Sequence, residues 1–165
     1  MDDEFLIRPE RIATRPTVLK GTFTPGDLER LLDDLADERG ELRYEVTAAL
    51  DKQRRKVVSC IIEGFVFLMC QKSLEAFRHE VSVNDRLVLV DDEAQLPAIE
   101  EEIEGEDYVV ADGPLDIRDL VEDAVLLALP MVPRKPGVED DSPGPGDGSQ
   151  ERQSPFAALA SLRKK

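Results

Sequence analysis

The sequence predicts an α+β fold, and three observations carry that prediction. The hydrophobic period changes from 3.6 to 2 after Gly40. A run of strands then follows with short polar turns, and such strands must pair antiparallel because a parallel pair needs a long crossover. A second helical stretch appears near residue 117, after the strands. The expected architecture is a mostly antiparallel sheet, free to curl toward a barrel, covered by two main helices. At 165 residues the chain is long enough for one core without disulfides or a structural metal. Trp is absent and aromatics are 5%, so that core must be mostly aliphatic.

The first 20 residues carry Arg8, Arg11, Arg15 and Lys20 with Pro9 and Pro16, and read as an extended arm entering a strand near Val18–Phe23. Thr24 suits an N-cap, Pro25 the first helical position and Asp27 the third. Leu28, Leu31, Leu32 and Leu35 then form one helical stripe, and Gly40 supplies a stop. Leu42, Tyr44, Val46, Ala48 and Leu50 alternate with mostly polar neighbours, as in a half-buried strand. Asp51–Lys56 is a polar turn. Val57–Met69 is a longer strand with Cys60, Ile62, Gly64, Val66 and Leu68 on one face. Its other face, with Ile61, Glu63, Phe65 and Phe67, is unusually apolar for a solvent side. Two further strands are expected over Leu74–Val83 and Arg86–Val90.

Residues 91–107 contain nine acids and no Lys or Arg, which reads as a solvated loop, and Tyr108–Val110 as a short last strand. Asp116 caps a helix over Ile117–Leu129, with Asp119, Glu122 and Asp123 near its positive end. From Val121 onward this helix is apolar nearly all round and should be well buried, and Pro130 and Pro133 end it. The domain organisation expected is a globular unit over 1–135, a Pro/Gly/acidic linker over 136–153 without a core of its own, and a basic amphipathic tail over 154–165. In that tail Ser154 and Pro155 can start a helix, Phe156, Leu159 and Leu162 share a side, and Arg163, Lys164 and Lys165 suit its negative end.

Composition narrows the function. Acidic residues outnumber basic ones 36 to 21, for a net charge of −15. Taken whole, such a chain repels phosphate, so RNA or anionic lipid contact requires locally clustered basic residues. No run of about 20 apolar residues exists, and Met1-Asp2-Asp3-Glu4 is acidic where a signal peptide starts basic. The expected location is the cytoplasm. Cys60 and Cys70 do not make a disulfide framework. Lys52, Arg54, Arg55 and Lys56 crowd one hairpin tip, either as a solvated tip or as a contact to RNA phosphate. No phosphate-binding loop, dinucleotide fingerprint or nucleophile elbow is present.

Cys70-Gln71-Lys72-Ser73 would be a zinc knuckle if residue 73 were Cys, but a zinc site needs about four good ligands. The sequence offers neither a downstream Cys pair nor a His pair. His79, the chain's one histidine, lies in a strand between Arg78 and Glu80.

Three stretches together resemble the YceD family, the large ribosomal RNA subunit accumulation proteins of bacteria and plastids. One is Asp116–Pro133, where Leu120-Val121-Glu122-Asp123 runs into Leu127-Ala128-Leu129-Pro130-Met131-Val132-Pro133. The second is Cys70-Gln71-Lys72-Ser73 with Phe77, His79 and Val81. The third is Pro155-Phe156-Ala157-Ala158-Leu159-Ala160-Ser161-Leu162 before a basic end. The resemblance implies a non-enzymatic role in accumulating large-subunit ribosomal RNA during ribosome assembly. Many members carry Cys-x-x-Cys at the turn and a further Cys or His after the Pro-x-x-Pro segment. Here Ser73 and Arg134-Lys135-Pro136-Gly137 break that pattern, so no metal or cofactor is carried over.

The expected partner is a large-subunit ribosomal protein, precursor ribosomal RNA, or both, with no membrane and no small-molecule substrate. An acidic chain gains more from a basic protein than from bare RNA. The expected partner-binding residues are Phe156, Leu159, Leu162, Arg163, Lys164 and Lys165 of the tail, with Arg54, Arg55 and Lys56 of the tip. Two alternatives stand beside this reading. One is a thiol- or histidine-dependent enzyme using Cys60 or Cys70 with His79. The other is a non-ribosomal adaptor working through Phe65 and Phe67.

Overall fold

The computed structural model describes residues 5–98 and 105–137. The linker and tail expected over 136–153 and 154–165 lie outside the described residues, apart from Pro136 and Gly137. The fold is α+β. Five strands form one sheet in the order β2 (Thr17–Phe23), β3 (Gly40–Leu50), β4 (Lys56–Met69), β5 (Ala76–Val90) and β6 (Asp107–Val110). The first three pairings are antiparallel, as the short turns of β3–β4 and β4–β5 require, while residues 24–39 join β2 to β3; the sheet is open rather than closed into a barrel. The β5–β6 pairing is parallel, which the long crossover between them permits. A small second pair joins β1 (Leu6–Ile7) to β7 (Leu115–Asp116), antiparallel.

Alternation along β3 and β4 builds the core. Leu42, Val46, Ile62, Val66 and Leu68 point inward and are fully buried. Each such side chain contributes roughly 1.5–3 kcal/mol by leaving water. Against this face packs α2 (Ile117–Ala128), through Ile117, Val121 and Val125. Asp116 caps it as expected, its carboxylate accepting from the Arg118 N–H at 2.8 Å. Gly64 is required where β3 and β4 meet. A Cβ there would lie 1.9 Å from the Glu41 carbonyl oxygen.

The structure corrects five expectations. The helix expected from Thr24 toward Gly40 is a 3-10 turn, Pro25–Asp27, followed by a four-residue α1 (Glu29–Leu32). Asp33, Asp34, Asp37 and Glu38 would crowd the negative end of any longer helix. The backbone turns instead, and the Ala36 N–H donates to the Phe67 carbonyl at 2.8 Å. Leu28 and Leu31 are fully buried, so the leucine spacing reported burial rather than helix length.

The two strands expected over Leu74–Val83 and Arg86–Val90 are one strand, β5. Asn84 and Asp85, which look like a turn, sit in the ladder opposite Ile61 and Cys60. Tyr108–Val110 falls in β6 but is not the last strand, since β7 follows it. α2 is not buried all round, since Leu127 is 87% exposed. The N-terminal arm is not simply extended. It contributes β1 and a 3-10 turn at Pro9–Arg11, with Ile7 and Pro9 buried. Among the described residues no helix is long and apolar enough to cross a membrane.

Candidate functional site

The β3–β4 hairpin tip is held together by side-chain bonds. Asp51 organises it, its carboxylate accepting from the N–H groups of Gln53 at 2.9 Å and Arg55 at 2.8 Å. Arg54 takes a left-handed conformation, φ 62°, and is exposed beside Lys52. The structure splits the tip residues that the sequence groups together. Arg55 turns back, with Nε 2.7 Å from Asp51, Nη1 3.0 Å from Glu106 and a bond to the Tyr108 hydroxyl at 3.2 Å. Arg86 joins the same carboxylate of Glu106 at 2.8 Å. Lys56 pairs with Asp91 at 2.6 Å.

These contacts set the local electrostatics. The guanidinium groups of Arg55 and then Arg86 hold the Glu106 carboxyl below the usual range. Burial pushes Asp51 up, but the Arg55 N–H and guanidinium outweigh it and the net direction is down. Arg55 is raised by Glu106 first and Asp51 second. The outward-facing charge of the tip is thus that of Lys52 and Arg54.

Cys70 lies in the turn after β4 and is fully buried. Its Sγ accepts from the backbone N–H of Ser73 and of Lys135, each at 3.4 Å. The segment after α2 is pinned to this turn, because the Gln71 N–H donates to the Pro133 carbonyl at 3.0 Å and Lys135 Nζ pairs with Glu75 at 3.0 Å. Leu74 closes the turn at φ 57°. The N–H groups of Lys135 and Ser73, together with the Ser73 hydroxyl, pull the Cys70 thiol down to about 6. The sulfur therefore sits as an anion-favouring acceptor joining the Cys70–Ser73 turn to Lys135. Among the described residues no group of three or more His, Cys, Asp or Glu could hold a metal ion.

The catalytic alternative fails on geometry within the ladder. Cys60 is paired with Asp85 and His79 with Val66, a separation of about 20 Å along β5 at the usual strand rise. Cys70 lies beyond the Met69–Ala76 pair, about 13 Å from His79 by the same measure. Burial pushes the Cys60 thiol up to about 12, with Asp85 adding to it. That thiol is a packing group.

The apolar outer face of β4 is roofed by arginines. Phe65 and Phe67 meet edge to face with centroids 6.2 Å apart. Arg78 lies 3.7 Å above Phe65 and Arg39 4.1 Å above Phe67. Arg78 is held by Glu80 at 2.6 Å and Arg39 by Asp37 at 2.6 Å. The adaptor alternative, which needs these rings free, finds them half-buried beneath guanidinium groups.

An open, mostly antiparallel sheet backed by one long helix, with its Cys70 turn locked to the Pro130–Pro133 segment, defines an α+β protein. A family model described as "Large ribosomal RNA subunit accumulation protein YceD" matches residues 58–163, and the chain belongs to that family. It is similar to the large ribosomal RNA subunit accumulation protein YceD of Haemophilus influenzae. The two are 25% identical over 169 residues, covering 96% of this chain and 95% of the relative. No solved structure matches the chain.

Residues of structural weight that the sequence reading missed are Glu122, Glu106 and Arg86. Glu122 and Glu106 were hidden among many surface acids. Arg86 begins what reads as a separate strand. Only the three-dimensional pairing distinguishes them.

Proposed function

We propose that this chain is a non-enzymatic ribosome-assembly factor that supports accumulation of large-subunit ribosomal RNA by binding. The match of residues 58–163 to a family named for that role carries the reading. Its preferred partner is a basic large-subunit ribosomal protein, with precursor RNA as a secondary contact, in the cytoplasm. The net charge of −15 supports the protein partner, through faster encounter and a salt-sensitive affinity. Lys52 and Arg54 offer the secondary phosphate contact, while Arg55 and Lys56 are engaged by the protein's own acids. The tail residues Phe156, Leu159, Leu162, Arg163, Lys164 and Lys165 supply the apolar and basic contact in the assembling particle.

Affinity capture of the tagged chain from a bacterial lysate, with and without ribonuclease, tests this reading. The expected result is enrichment of large-subunit proteins that survives ribonuclease and falls with salt. Capture of no large-subunit component, under either condition, would contradict it.

A further inference from the structure

We propose that the C-terminal segment Pro155–Lys165 docks, in the free protein, into a groove on its own domain between the turn after α1 and the end of α2. The groove has a volume of about 390 Å³; Leu35, Met69, Leu126 and Leu129 give it a narrow apolar strip within a lining that is otherwise mostly polar. Exposed Asp33 and Asp34 stand on its rim. Its far wall is Pro130–Pro133, where Met131 is fully exposed. A flexible thioether at Met69 and another at Met131 suit an apolar ligand of adaptable shape.

Two observations identify the occupant. The first is complementarity. Residues 154–165 hold Phe156, Leu159 and Leu162 at helical spacing, three positive charges at 163–165 and no acid. The basic end matches the acidic rim of Asp33 and Asp34, and the apolar stripe matches the narrow apolar strip beside it. The second is reach. The groove wall ends at Pro133, four residues before the last described residue, Gly137. Residues 138–154 then give a tether with an r.m.s. span of roughly 23 Å, enough to return the segment to the groove. Eleven residues are too few to hold a helix alone in water, so a helix over 155–165, about 16 Å long, would need a surface. Tethering gives that surface an effective concentration in the mM range, so a weak contact suffices.

The consequence is regulatory. The stripe of Phe156, Leu159 and Leu162 cannot face the groove and a partner together. A partner that takes the tail must first release it, and the groove is the tail's resting place. This inference does not depend on the ribosomal reading.

The chain carries its own reporters, since its three methionines are Met1, Met69 and Met131, two of them at the groove. Methyl NMR of the full chain labelled at methionine is compared across three proteins. These are the unaltered chain, the tail variant Phe156→Ala/Leu159→Ala/Leu162→Ala, and the rim variant Asp33→Lys/Asp34→Lys. The expected result is a ring-current shift of the Met69 and Met131 methyls in the unaltered chain, lost in the tail variant and reduced in the rim variant, at every protein concentration. Identical Met69 and Met131 resonances in all three proteins would overturn the proposal. A shift that grows with protein concentration would overturn it in favour of a second copy.

Discussion

Glu122 of α2 caps the helix that carries Arg30, 92 residues away in sequence. Its Oε1 accepts from the backbone N–H of Arg30 at 2.6 Å and of Leu31 at 3.0 Å, and its Oε2 receives the Arg30 Nε at 2.7 Å. Arg30 Nη1 reaches Asp123 at 2.7 Å. α1 has only four residues and no side-chain cap of its own, so a residue from another element satisfies its first donors. Glu122→Ala leaves those buried donors unpaired and should lower the unfolding free energy by about 2–3 kcal/mol. Glu122→Gln, which keeps an acceptor, should cost less. Urea denaturation checks both, and an Ala variant as stable as the unaltered chain would remove Glu122 from this role.

Gly64→Ala should be among the most damaging single substitutions in the sheet. The new Cβ meets the Glu41 carbonyl oxygen, a backbone atom that cannot rotate away. Overpacking of this kind costs about 1–3 kcal/mol or more. Gly113, with open space around its position, is the control. Gly113→Ala should be neutral, or stabilising by up to about 1 kcal/mol. Equal thermal stability of the two variants would contradict the close β3–β4 approach.

The carboxylates around Arg55 predict an acid-sensitive tip. Asp51 and Glu106 both titrate lower when folded than the roughly 3.9 and 4.3 of free Asp and Glu. Their contribution is therefore fully present above about pH 4.3 and is lost as pH falls through the lower folded values. Melting temperature followed from pH 7 to pH 2.5 should fall more steeply for the unaltered chain than for Arg55→Met. The Arg55→Met chain should start lower at pH 7. Parallel curves would mean that Arg55 does not hold these acids.

How much was legible in the sequence follows from what each signal depends on. Strands β3 and β4 and helix α2 announced themselves, because one buried face imposes its period directly on the residues. The leucines of 28–35 misled for the same reason. Leu28 and Leu31 are buried in the core, but the acids at 33, 34, 37 and 38 and the Ala36–Phe67 bond end the helix early. Asn84 and Asp85 carry turn chemistry locally, and only pairing with β4 keeps them extended. At the candidate site, Arg54, Arg55 and Lys56 read alike, while their different roles depend on Asp91, just after β5, and Glu106, just before β6. Glu122 looked like one more acid at a helix start, and its true partner is in another helix.

Cys70 should carry a pH signature opposite to that of Cys60. A thiol pulled down to about 6 favours the folded state increasingly as pH rises from about 6 toward the free value near 8.5, and that gain is lost again as pH falls through 6. Cys60, pushed up to about 12, works the other way only above about pH 8.5. Thiolate absorbance of the folded protein should therefore show one thiol titrating near pH 6, absent in Cys70→Ser. The stability of Cys70→Ser should not rise between pH 6 and 8.5. Two thiols titrating together above pH 8 would contradict the hydrogen bonds from Lys135 and Ser73.

The central claim is that this chain supports accumulation of large-subunit ribosomal RNA. The most direct measurement is the ratio of large- to small-subunit ribosomal RNA in cells of the source organism depleted of the chain, and again after its return on a plasmid. The account predicts a selective fall in the large-subunit RNA that the returned chain restores. An unchanged ratio, or an equal fall in both RNAs, would contradict it.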